Sequence, residues 1–218
     1  MKEMSKKEAI LEDLRRSVST WDIELAKRAA KEAMDIGLTP TEIVEKGLGK
    51  GMAEISQKFD EATIYLPQVL AASNAMEAAM KVLAPMMNGV ELPSKGTVVI
   101  GTVHGDIHEI GKNVVGAMLR GAGYNVIDLG RDVPIENFID AAREKKADVV
   151  GASALMTTTM VGQKEIVEFL EEEGLRENVR TIFGGAPCNK KWVDSIGGDM
   201  YCPSGAEAVA MVDALVRK

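Results

Sequence analysis

The chain has 218 residues, 46% hydrophobic and 27% charged, enough for one large globular domain or two small ones. Its net charge of −7 and the lack of a basic stripe argue against nucleic acid as a main partner, because phosphate binding needs clustered Lys and Arg. A charged start (Met1-Lys2-Glu3-Met4-Ser5-Lys6-Lys7-Glu8) does not make a signal peptide, no apolar run reaches membrane-spanning length, and Cys188 and Cys202 form no Cys-x-x-Cys pair; a reduced, cytoplasmic protein without membrane contact is expected.

The first 88 residues predict helices only. Ser5-Lys6-Lys7-Glu8 is a capping box, and Ile10, Leu11, Leu14 and Val18 follow at helical spacing. A second helix is predicted over residues 22–36 with Ile23, Ala26, Ala30, Ala33 and Met34 inward, closed by Gly37. Thr39-Pro40-Thr41-Glu42 is another capping box with proline at the first helical position, and Ile43, Val44, Leu48, Met52 and Ile55 carry the third helix. Tyr65-Leu66-Pro67 opens the fourth, with Val69, Leu70, Met76, Met80, Val82 and Leu83 apolar. Four helices with short loops make a bundle. Gly47, Gly49 and Gly51 superficially suggest a phosphate loop, but no strand precedes them and a helix runs through them, so close helix packing explains them better. The methionines at 76, 80, 86 and 87 read chiefly as core.

Residues 89–96, with a proline and two glycines, break the pattern and are expected to link domain 1–88 to domain 97–218. Beyond the linker, apolar runs at residues 98–101, 125–129, 148–152, 181–183 and 199–201 alternate with helical segments at 110–122, 135–146, 160–173, 190–196 and 205–217. This alternation predicts an α/β domain with a five-stranded parallel sheet, flavodoxin-like (Rossmann-like) in the order 2-1-3-4-5. A ligand then belongs at the carboxyl ends of the first, third and fourth strands. Those ends carry Gly105-Asp106-Ile107-His108, the hydroxyl-rich Ser153 to Thr159, and Gly184-Gly185; the loop after the second strand, Gly130-Arg131-Asp132-Val133-Pro134, looks like an ordinary polar turn.

His108 is the candidate metal ligand and Asp106 the group that would fix its tautomer through the other ring nitrogen. A phosphate site lacks its glycine and lysine pattern, and a phosphoacceptor site lacks its acidic cluster and late lysine. Zinc would need His104, His108 and Asp106 as an unusually compact set. A flavin suits the fold but leaves His108 unused, and a plain polar loop histidine stays open. A planar metal cofactor held from below by His108 uses all three loops, with Ser153 completing a His–Asp–Ser relay and the paired glycines leaving a slot for an organic tail.

Asp106-x-His108-x-x-Gly111, followed by Ser153-x-Leu155 and Gly184-Gly185, resembles the cobalamin-binding domain of methionine synthase and of small corrinoid methyl carriers. Tyr65-Leu66-Pro67 resembles the segment such carriers place near the upper face of the corrin. The resemblance covers nearly the whole chain and lies nearest to methylamine corrinoid proteins of methanogenic archaea, the monomethylamine type first. It implies one cobamide per chain, base-off, with His108 as the lower axial ligand and the tail along the sheet. The cofactor-binding set it implies is Gly105, Asp106, Ile107, His108, Glu109, Gly111, Ser153, Leu155, Thr157, Gly184, Gly185, Ser204 and Gly205, with Tyr65, Leu66 and Met76 in the cap. His104 lies outside the signature. It further implies a carrier with no catalytic residues of its own, one that takes a methyl group onto cobalt(I) from a methylamine-type methyltransferase and delivers it to a second methyltransferase acting on a thiol such as coenzyme M, with a reductive activase as third partner and residues 89–96 as hinge. Carriage of methyl groups from methanol, a cobalamin-dependent sensor and a flavin-binding electron carrier are the competing readings.

Overall fold

The computed structural model describes residues 6–87 and 94–216. The capping box at Ser5 and most of the 89–96 run, except residues 94–96, lie outside them. The chain divides into two compact units, Met1–Ser94 with Gly121–Gly123, and Lys95–Arg120 with Tyr124–Lys218.

The first unit is an N-terminal helical bundle: α1 (Lys6–Ser19), α2 (Ile23–Asp35), α3 (Pro40–Ile43), α4 (Gly49–Asp60) and α5 (Leu66–Leu83). Asp22 caps α2 by accepting from Leu25 N at 2.9 Å. At α3 the predicted box forms, with Glu42 N donating to Thr39 Oγ1 (3.2 Å) and Thr39 N to the Glu42 carboxylate (3.4 Å). Lys7 and the Thr39 backbone hold the Glu42 carboxyl at about 2, below its usual 4.5.

The predicted third helix is in fact one rod with a π-helical turn, Val44–Leu48, between α3 and α4. The glycines set how near that rod approaches α1. A Cβ on Gly47 would stand 2.8 Å from Leu14 Cβ, and one on Gly51 only 2.4 Å from the Arg15 carbonyl oxygen. Ile10, Leu14 and Val18 pack inward with Ala26, Ala30, Ala33, Ile43, Leu48, Met52, Ile55, Val69, Met76 and Leu83. Ile23 departs from the expected inward set: it is the first residue of α2 and 39% exposed.

The second unit is an alternating β-α domain. Its strands are β1 (Thr97–Thr102), β2 (Asn125–Asp128), β3 (Val149–Ser153), β4 (Arg180–Gly184) and β5 (Met200–Tyr201). They form one parallel sheet in the order β2-β1-β3-β4-β5, as the sequence predicts. The crossovers are α6 (Ile110–Gly121), α7 (Ile135–Glu144), α8 (Val161–Glu172) and α9 (Lys190–Ser195), and α10 (Gly205–Val216) closes the domain.

Alternation along β1 sends neighbouring residues to opposite faces. Val99 joins Phe138, Ile139, Val150, Ile166, Leu170, Phe183 and Val193 in the core under α7, α8 and α9. On the other face α6 lies against Ile100, whose Cδ1 a Cβ on Gly116 would approach to 2.8 Å. Val98 pairs with Val149 and Thr102 with Ser153, so β1 and β3 end level. Because β2 and β3 flank β1 while their crossovers leave on opposite sides, the carboxyl ends of β1 and β3 open a crevice.

Candidate functional site

The loop after β1 is fixed from several directions. Thr102, fully buried, donates its hydroxyl to the His108 carbonyl at 2.9 Å. Asp106 N closes a turn onto the Val103 carbonyl (3.2 Å), and Gly105 supplies the left-handed conformation that turn needs (φ 79°). The Asp106 side chain is thereby driven inside, with none of it exposed.

There the carboxylate accepts four hydrogen bonds. Oδ1 takes His108 N at 3.0 Å and lies 2.7 Å from His108 Nδ1. Oδ2 takes Leu155 N at 2.7 Å and the Thr159 hydroxyl at 2.9 Å. Burial pushes the Asp106 carboxyl up, but the donors from His108, Leu155 and Thr159 together outweigh it and hold the group at about 2. An ionised acceptor keeps the proton of His108 on Nδ1 and leaves the Nε2 lone pair free. The ring is about half exposed, and Nε2 meets no hydrogen-bond partner among the described residues.

His108 stands at a cavity of about 720 Å³ over the strand ends. Of the residues expected from the sequence, Ile107, His108, Glu109, Gly111, Ser153, Leu155, Gly184, Gly185, Ser204 and Gly205 line it. Asp106 is buried beneath the loop, and Gly105 and Thr157 are exposed; none of the three lines the cavity. In the helical unit, Tyr65 is the exposed N-cap of α5 (71%), Leu66 is partly buried and Met76 lies on the buried face of that helix.

Two sequence expectations need correction, and a third gains a second reason. The hydroxyl on Asp106 is that of Thr159; Ser153 lines the cavity instead of completing the relay. The paired glycines line the cavity, as expected, and are also required by the chain itself, since a Cβ on Gly184 would stand 2.8 Å from the Cys202 carbonyl and one on Gly185 only 1.8 Å from that of Ala154. The loop after β2 is also more than a polar turn. Asp132 Oδ1 accepts from Gly105 N at 2.7 Å and lies 2.9 Å from His104 Nδ1, while Arg131 reaches the cavity beside Glu109 (3.7 Å).

Lys112, Tyr201, Cys202 and Pro203 also line the cavity, and no sequence motif singles them out. Lys112 is buried in the first turn of α6 and paired with Asp128 of β2 at 2.6 Å. Burial pushes the Cys202 thiol up to about 11, so the cavity wall there is a neutral thiol. No group of three or more His, Cys, Asp or Glu side chains able to hold a metal occurs among the described residues; His104, needed for a zinc set, is turned to Asp132. No helix among them is long and apolar enough to cross a membrane.

This fold and site define a cobalamin-binding class of protein. Family models described as B12 binding domain match residues 96–212 and residues 10–84. The chain belongs to the B12-binding family of methylamine-type corrinoid proteins. It is 46% identical over 215 residues to trimethylamine corrinoid protein 1 of Methanosarcina acetivorans, covering 98% of this chain and 100% of that one. It is also 46% identical over 211 residues to dimethylamine corrinoid protein 1 of the same organism, covering 96% and 99%. Among solved structures, the methanol:cobalamin methyltransferase complex MtaBC of Methanosarcina barkeri matches with a TM-score of 0.88 and 30% identity, over 99% of this chain and 86% of that one.

The residues present fit a corrinoid. An imidazole with its outer nitrogen free stands at a large cavity walled by Ile100, Ile107, Ile110, Val115, Leu155 and Ile182. A Cβ added at Gly111 would meet nothing within 4 Å, so the chain's own packing leaves that part of the wall open.

Proposed function

We propose that this methylamine-type corrinoid methyl carrier binds one cobamide, base-off, at the carboxyl ends of β1, β3 and β4, with His108 Nε2 as the lower axial ligand. The observation that carries this is the His108–Asp106 pair. The Nδ1 contact of 2.7 Å to a buried, ionised carboxylate gives the ring one orientation and one tautomer, with Nε2 left for a metal. When bound, the corrinoid supplies the cobalt on which a methyl group rides between two partner proteins.

The chain's own part is to hold and tune. Leu155 N and the Thr159 hydroxyl keep Asp106 ionised, so Asp106 keeps the Nδ1 proton in place whether or not Nε2 is engaged. Ile107, Ile110 and Leu155, exposed at the cavity, offer an apolar bed, and Ser153, Gly184, Ser204 and Gly205 line the path for the tail. Residues 1–88 are proposed as cap, with the exposed Tyr65 and the partly buried Leu66 serving the upper face and Met76 packed in the helical core instead, and residues 89–96 as the linker. Such a carrier acts with a methylamine-type methyltransferase, with a second methyltransferase acting on a thiol such as coenzyme M, and with a reductive activase.

Methylamines are favoured over methanol because identity is 46% to the tri- and dimethylamine proteins against 30% to the methanol complex. Transfer assays with the trimethylamine, dimethylamine, monomethylamine and methanol methyltransferases settle the donor; transfer with the methanol enzyme alone sinks the methylamine assignment. For the ligand, His108→Ala is expected to abolish the nitrogen hyperfine splitting of the cobalt(II) EPR signal. Splitting that persists removes His108 from the axial position.

A further inference from the structure

Behind the cavity lies a buried amide to which methyl carriage assigns no role. Gln163, near the start of α8, has none of its surface exposed. Its Nε2 donates to the Ala152 carbonyl of β3 and to the Gly184 carbonyl of β4, both at 3.0 Å. Its Oε1 accepts from the Trp192 indole of α9 at 2.9 Å, with Cys188 Sγ at 3.6 Å. The amide can face only this way, because an indole N–H only donates and a backbone carbonyl only accepts.

The strand ends it joins are the ones that carry the site. The Gly184 carbonyl also accepts from Ala154 N at 3.1 Å, and the 1.8 Å that would separate a Gly185 Cβ from the Ala154 carbonyl shows the two loops meeting backbone on backbone. The residue after Ala154 is Leu155, whose N–H is a donor to Asp106 Oδ2. A continuous set of hydrogen bonds and one peptide link therefore runs from Trp192 through Gln163 to the Leu155 amide, Asp106 and the His108 ring.

We infer that Gln163 is a positioning residue for His108 and for the cavity walls. By holding the ends of β3 and β4 at one spacing it sets where the Leu155 N–H stands, and so where Asp106 holds the imidazole. The same spacing sets the separation of Leu155 from Gly184 and Gly185. Only the consequence for cofactor affinity rests on the corrinoid reading; the effect on His108 does not.

The test uses the full-length chain, ¹⁵N-labelled, without cofactor and with added hydroxocobalamin. Gln163→Met keeps the bulk and removes both the donor and the acceptor. Leu170→Ala, fully buried on the same helix, is the control that loosens the core without touching a polar tie. Gln163→Met is expected to shift the Leu155 amide and His108 ring ¹⁵N signals of the cofactor-free protein and to raise the Kd for hydroxocobalamin about tenfold, the scale seen when an outer partner of a metal ligand is lost. Leu170→Ala is expected to lower the thermal midpoint while leaving those signals in place. If Gln163→Met does not fold, Trp192→Phe, which removes one donor to Oε1, is expected to shift the same signals by a smaller amount.

Signals that stay put in the Gln163 or Trp192 variant, or that move equally in Leu170→Ala, overturn the inference. A wild-type chain that ignores hydroxocobalamin while Gln163→Met still moves the His108 signals overturns the corrinoid reading and leaves the positioning role standing.

Discussion

Asp106 serves four donors with two oxygens, and the donors are unequal in what the sequence reveals of them. His108 and its backbone N–H come from the Asp-x-His spacing. Thr159 does not, because residues 157–159 are identical threonines and only the turn that brings Thr159 N onto the Met156 carbonyl (3.1 Å) selects the last of them. Thr159→Val is expected to destabilise the cofactor-free protein by about 2 kcal/mol in urea unfolding, the value of a hydrogen bond to a buried charge, with Thr159→Ser recovering most of it. Ser153→Ala is expected to stay within about 0.5 kcal/mol. Equal losses at 153 and 159 would return the relay to Ser153. The sign of the pH effect follows from the depressed pKa. Asp106 favours the folded state above its ordinary 3.8, and that contribution is lost as pH falls through about 2. Removing the Thr159 hydroxyl raises the folded-state pKa, so in the Thr159→Val curve the acid loss due to Asp106 still sets in near 3.8 but ends at higher pH and is smaller.

At the level of elements, what the sequence discloses depends on whether the signal is periodic. The five strands, their order and the crossover helices follow from alternating apolar runs, and the capping box at Thr39 from residue types at fixed offsets. The π-helical turn at Val44–Leu48 has no such signature, since Val44, Leu48, Met52 and Ile55 keep ordinary helical spacing through it. Ile23 is apolar and in phase, yet it occupies the first position of its helix, where there is no preceding turn to cover it. The glycines of the third rod were legible as close packing but not as to what they pack against. Alanine is the better helix former by about 1 kcal/mol, so propensity alone predicts that Gly51→Ala stabilises. With the Arg15 carbonyl 2.4 Å from the new Cβ and no flexible side chain to give way, a net loss of about 1–2 kcal/mol is expected instead. Lys50→Ala, exposed at the adjacent position, is expected to change stability by less than about 0.5 kcal/mol. A stabilised Gly51→Ala would mean the rod can move off α1 at no cost.

For the whole molecule, both units match models described as B12 binding domain, so the unit that makes the primary cofactor contact has to be argued from chemistry rather than from family likeness. The β-α unit holds the free imidazole nitrogen and the 720 Å³ cavity by itself, with every lining residue between Ile100 and Gly205. A ligand that binds only the folded state stabilises it by mass action, about 2.7 kcal/mol at a free concentration one hundred times its Kd. That stabilisation should surface first where the ligand's contacts bear on backbone amides whose exchange requires the strand ends to open. Hydrogen exchange followed by mass spectrometry, with and without hydroxocobalamin, is therefore expected to show added protection in peptides spanning residues 98–112, 150–160 and 181–188. His108→Ala should weaken the gain and Gly111→Leu, which fills the open part of the wall, should reduce it further. If saturating cofactor protects only peptides from residues 10–84, the cavity over the parallel sheet is not the primary site, and His108 is not the axial ligand.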